Sequence, residues 1–137
     1  MRLLLSLLIV FTHLHLPAAG NEAAEKILYV TVNEIGVITV GRDTISSDEL
    51  ARYIQERLFK SYSGTGKMHS RIKFSKVTDE VPDMVVDVVL EEIRDGQRRA
   101  LIELCLDKYK SLFENIEKRK QDKLKKQFPV LFQTDYS

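Results

Sequence analysis

The chain has 137 residues, with 21 Lys and Arg against 20 Asp and Glu and a single cysteine. That length holds one small domain, the balance of charge argues against a protein that works by nucleic-acid electrostatics, and one cysteine excludes an intramolecular disulfide. The domain must therefore stand on its apolar core.

Met1–Gly20 carries one charge, Arg2, ahead of the apolar run Leu3–Phe11. His13 and His15 then dilute the hydrophobicity, and Pro17-Ala18-Ala19-Gly20 supplies a breaker and small residues. This layout predicts a secretory signal peptide cut after Gly20. An uncleaved anchor is the alternative, although a membrane span needs about 20 apolar residues. Either way the rest of the chain is expected in the periplasm or cell envelope.

Ile27–Val32 (ILYVTV) and Val37–Val40 (VITV) read as strands joined by the hairpin loop Asn33–Gly36, and their apolar density suggests that both faces are at least partly covered. Ser46-Ser47-Asp48-Glu49 has the form of a capping box, with Ile45 and Leu50 placed as a hydrophobic staple. Leu50, Tyr53, Ile54 and Leu58 follow at helical spacing, which predicts a helix ending near Lys60 and a flexible loop from Ser61 to Gly66. Met68–Ser75 alternates as a strand. Val81–Asp95 reads as a helix, with Pro82 in its first turn and Gly96 as its terminator. Arg99–Leu104 reads as the last strand. The expected fold is α+β, a ββαβαβ two-layer sandwich with two helices on one face of a mixed four-stranded sheet.

Beyond Cys105 the pattern changes. Leu106, Tyr109, Phe113 and Ile116 recur at three- and four-residue steps, predicting a long basic amphipathic helix over 106–127 and a tail over 128–137. Between Leu106 and Lys126 eight cations face four acids. The stripe of Leu106, Tyr109, Phe113 and Ile116 is the candidate partner-binding surface, packing on the core or on a second chain. Docking of this helix on a membrane, or on the cell wall, is a further reading. Nucleic acid is not an expected partner outside the cytoplasm.

Signs of catalysis are sparse. His69 lacks a second histidine or a cysteine at metal-ligand spacing, and Cys105 lies in an apolar run that suits an inert buried thiol. Gly64-Thr65-Gly66-Lys67 lacks the first glycine and the Ser/Thr of a phosphate loop. Asp79, Glu80, Asp83, Asp87, Glu91 and Glu92 read as a solvated helix face. The expectation is a binding protein with no catalytic, cofactor or metal residues, a small secreted enzyme being the minor alternative.

Two stretches carry a family resemblance. One is the opening strand, the hairpin Ile35-Gly36-Val37-Ile38-Thr39-Val40, and Ile45-Ser46-Ser47-Asp48-Glu49-Leu50 entering a helix. The other is Glu80-Val81-Pro82-x-x-Val85-Val86-x-x-x-Leu90, ending at Gly96, with Ala100-Leu101-Ile102-Glu103-Leu104 after it. Together they span residues 27–105, which is similar to the periplasmic domain of the ExbD/TolR family. The resemblance implies a non-enzymatic, dimerising subunit of a cell-envelope energy-transduction or biopolymer-transport system. Its implied partners are an ExbB/TolQ-like channel protein and a TonB/TolA-like protein, or the cell wall. Family members carry an aspartate in a transmembrane helix, whereas this chain has no acid before Glu22. The ion-coupling step would then lie with another subunit.

Overall fold

The structure, a computed structural model, describes residues 26–137, so the leader and its cleavage point lie outside the described residues. Strands β1 (Ile27–Val32), β2 (Ile38–Val40) and β3 (Asp43–Ile45) form an antiparallel meander. Helix α1 (Ser47–Thr65) leads to β4 (Arg71–Lys76), which pairs parallel to β1. The sheet is mixed and four-stranded, in the order β3-β2-β1-β4. Helix α2 (Asp83–Tyr109) follows, then a 3-10 turn at Phe113–Asn115, α3 (Lys118–Gln127) and a second 3-10 turn at Pro129–Phe132. The fold is α+β with a mixed four-stranded sheet, as expected, but its order is βββαβαα rather than ββαβαβ.

Register explains the core. Val30 lies opposite Val40 and Phe74, Val32 opposite Ile38, and Leu28 opposite Ile72. All therefore point to one face, because strand side chains alternate with period two. With half-buried Phe74 packed against them, the others join Leu50, Ile54 and Leu58 of α1 and Val89, Ile93, Ala100 and Leu104 of α2 in a single buried cluster. The other face is open: Tyr29 is 51 % exposed, and its neighbours Lys73 and Ser75 are exposed too. The expectation that both faces are at least partly covered is met on this face only by half-buried Ile27, Thr31 and Thr39. The apolar density of β1 comes mainly from β-branched residues that suit a pleated strand.

The fourth strand is β3, reached through the two-residue connection Gly41-Arg42, where Gly41 takes φ +61°. At the preceding hairpin the Asn33 carboxamide oxygen accepts the N–H groups of Ile35 (3.2 Å) and Val37 (2.8 Å), and Gly36 has φ +85°. Ser46 does sit at the N-cap of α1, but its side chain makes no capping hydrogen bond; its carbonyl accepts the Glu49 N–H at 3.1 Å. The helix continues past Lys60 through the expected loop. Ser61 is buried, the Tyr62 ring meets Phe128 edge-on at 5.2 Å, and termination falls to Gly66 with φ +73°. Packing outweighs the weak helix preference of Ser and Gly here.

The largest correction lies at Gly96. It does not end a helix but sits buried in the middle of α2, which runs on through the segment expected to be a strand, Arg99–Leu104. A Cβ on Gly96 would stand 2.8 Å from both the Ala51 carbonyl oxygen and Ile54 Cβ. Glycine is therefore needed for the close approach of α1 and α2, which outweighs its poor helix propensity of about 1 kcal/mol. Val89, Ile93, Gln97, Ala100 and Leu104 continue one helical stripe across it. The 27 residues of α2 span about 40 Å.

The long C-terminal helix is likewise divided. α2 stops where Lys110 takes φ +53°, and α3 begins only at Lys118. The tail is part of the domain, since Phe128, Val130, Leu131 and Tyr136 are buried in the core.

Candidate partner-binding surfaces

The residues proposed from sequence do not form one stripe. Leu106 and Tyr109 belong to the last turn of α2, Phe113 opens the following 3-10 turn, and Ile116 lies beyond it. Ile116 is buried, and Tyr109 and Phe113 pack against the core; Leu106 remains exposed. Lys120 stands 5.5 Å above the Tyr109 ring, and Lys125 lies 5.9 Å from the rings of both Phe113 and Phe132. Cation–π contacts thus fasten α3 to the same residues. Three of the four side chains serve this chain's own packing.

The two edges of the sheet differ. At β4, the Gln133 carboxamide accepts the Ile72 N–H (2.7 Å) and donates to the Ile72 carbonyl (2.6 Å), while the Phe74 N–H donates to the Tyr136 carbonyl (2.8 Å). The tail is held there from behind. Gln97, buried on α2, donates to the carbonyls of Val130 (2.7 Å) and Gln133 (3.1 Å) and accepts the Tyr136 hydroxyl. Burial raises the Tyr136 phenol above its ordinary value, so it remains a hydrogen-bond donor. The edge strand is covered by the chain itself.

At β3, the other end of the sheet, Asp43 and Thr44 are exposed. The Asp43 carboxylate accepts the Tyr53 hydroxyl from α1. Where β3 ends, an apolar hollow of about 250 Å³ opens between the hairpin and the start of α2, lined by Gly36, Ile38, Ser47, Met84, Val85, Val88 and Val89. Ile38 pairs with Ile45 of β3, so hollow and strand edge are continuous. Met84 is 77 % exposed, and Ile35 at the hairpin tip is 80 % exposed. Sequence reasoning missed both parts. The two-residue Gly41-Arg42 turn was the signal for β3; Met84 and Val88 gave none, because they look like ordinary apolar helix positions.

Cys105 is buried, and its thiol is pushed up by burial and then by the Glu114 carboxylate. That is the setting of an unreactive thiol. Asp79, Glu80, Asp83, Asp87 and Glu91 are exposed, and Glu92 is half-buried. Among the described residues no group of three or more His, Cys, Asp or Glu gathers as metal ligands would, and no helix is long and apolar enough to cross a membrane. Comparison with known proteins found no matching family model, curated protein or solved structure.

Proposed function

We propose that the chain is a non-enzymatic subunit of a cell-envelope energy-transduction or biopolymer-transport assembly, as its resemblance to the ExbD/TolR family implies. In this reading it binds an extended segment of a partner along β3. The observation that carries the reading is the asymmetry of the sheet, with β4 covered by residues 133–136 and β3 left exposed beside an apolar hollow. Strand addition at such an edge draws affinity from backbone hydrogen bonds and specificity from pockets for alternate side chains. β3 has only three residues, so its backbone contributes few bonds and the hollow supplies the apolar anchor.

The test is crosslinking of the full chain in intact cells, followed by recovery of its adducts. An ExbB/TolQ-like channel protein or a TonB/TolA-like protein among them supports the reading. Recovery of neither, with turnover of a small substrate by the purified chain, overturns it.

A second reading, a secreted structural or adaptor protein docked on an anionic membrane or the cell wall, draws on α3. This helix holds Lys118, Arg119, Lys120, Lys123, Lys125 and Lys126 against a single acid, Asp122, which pairs with Lys118 at 3.2 Å. Binding to anionic vesicles or cell-wall sacculi that disappears when Arg119, Lys123 and Lys126 are neutralised favours this second reading.

A further inference from the structure

At the end of the sheet opposite the hairpin, the last turns of α1 and the entry to β1 enclose a hollow of about 210 Å³. Its walls are Lys26, Arg57, Lys60, Ser61, Thr65 and His69. Among the described residues that line it there are three full positive charges and no acid. Among the described residues none of Lys26, Arg57 and Lys60 makes an ion pair.

The C-terminal end of a helix attracts cations to its free carbonyls. Among the described residues, though, none of Lys26, Arg57 and Lys60 donates to the last carbonyls of α1, those of Ser63, Gly64 and Thr65, and the carbonyls just before them have other donors. Tyr62 C=O accepts the Gly66 N–H (2.7 Å), Ser61 C=O accepts the Thr65 hydroxyl (2.7 Å), and Lys60 C=O accepts the Ser63 hydroxyl (3.3 Å). Lys67 C=O, just beyond, takes the hydroxyls of Ser61 (2.9 Å) and Thr65 (3.0 Å). Lys26 Nζ donates to Ser61 Oγ at 2.9 Å, which fixes its head over the hollow. The cations are not consumed as caps.

His69 supplies an independent sign of the same field. It is only 5 % exposed, and its Nδ1 is buried without a hydrogen-bond partner. Burial, then Lys26 and Arg57, lowers its pKa to about 4, so the ring is neutral and faces the positive charge of Lys26 and of Arg57, which also lies 6.0 Å from the Tyr53 ring. On its far side His69 also borders a second basic hollow that includes Lys67 and Lys126.

From this convergence we infer that the hollow formed by Lys26, Arg57, Lys60 and His69 binds a phosphate monoester or inorganic phosphate. Its volume is below the roughly 300 Å³ at which pockets begin to enclose drug-sized ligands, so it suits a single anionic head group. A carboxylate would leave two of the three charges unmet, whereas a phosphate dianion leaves one. Arg57 supplies the planar fork that grips two phosphate oxygens, and the lysines act as point charges.

The experiment is NMR titration of the His69 ring in the full chain with inorganic phosphate, against chloride at matched ionic strength. Binding of phosphate should raise the His69 pKa from about 4 toward its ordinary 6.5. It should saturate, and it should weaken roughly tenfold for each of R57Q and K60Q. Both positions are exposed, so the variants are expected to fold, and a circular dichroism melt checks this. A parallel arm uses phosphatidylcholine vesicles with and without phosphatidic acid. Retention on the phosphatidic acid vesicles that is lost in R57Q/K60Q identifies a lipid head group as the source, and a response to inorganic phosphate alone identifies a soluble one. An equal response to chloride, or responses unchanged in R57Q/K60Q, overturns the inference.

Discussion

The side-chain amide of Gln133 occupies the outer edge of β4 as a strand residue would, taking the Ile72 N–H at 2.7 Å and giving a hydrogen bond to the Ile72 carbonyl at 2.6 Å. One side chain satisfies both polar groups of an edge residue, and β3 is left as the exposed edge of the sheet. Q133A should cost about 1–3 kcal/mol, since it strands two partly buried backbone groups. Removal of residues 133–137 should cost more and produce concentration-dependent association through the bared strand. Denaturant melts and sedimentation velocity check the two effects.

Gly96 gives the sharpest mutational contrast. G96A places a methyl group 2.8 Å from the Ala51 carbonyl oxygen and Ile54 Cβ, so it should destabilise by about 1–3 kcal/mol despite alanine's better helix propensity. G64A, in exposed α1 with nothing within 4 Å of the added methyl, should instead be neutral or stabilise by up to ~1 kcal/mol. Thermal melts should show a lower midpoint for G96A and an unchanged or higher one for G64A.

His69 predicts acid sensitivity. Its folded pKa of about 4 lies below the ordinary 6.5, so the unfolded chain binds the extra proton first. The stability held by the neutral ring is complete above pH 6.5, is lost as pH falls from 6.5 toward 4, and changes no further below that. H69L should flatten this part of the pH–stability profile, while the carboxylate-driven loss at lower pH persists.

Cys105 should stay unreactive in the native state, with burial and Glu114 both opposing the thiolate. Labelling by a thiol-specific reagent should follow global unfolding. Fast labelling of the folded chain would show that the C-terminal half of α2 opens locally.

Local pattern disclosed β1, β2, the start of α1 and the approximate place of β4, because alternation and the residues before a helix act within a few positions. It misled where tertiary contact decides. Gly96 has the form of a helix end in one dimension and is a helix crossing in three. Ala100 and Leu104 fit a strand by alternation, yet with Val89, Ile93 and Gln97 they make the stripe that continues α2. The burial of the C-terminal residues is not legible locally, because it depends on Gln97, more than thirty positions away from Val130 and Gln133. Of the proposed partner stripe, only Leu106 is still exposed. The exposed β3 edge and its hollow emerge only when the sheet order is known.

In the proposed function partners reach this domain at β3 and not at β4. A photo-crosslinking residue placed at Thr44 on β3, or at Thr134 in the tail covering β4, tests it in cells producing the full chain. We expect a discrete protein adduct from Thr44, reduced when Met84 is replaced by a charged residue, and none from Thr134. Adducts from Thr134 alone, or equal labelling at both positions, would contradict the account.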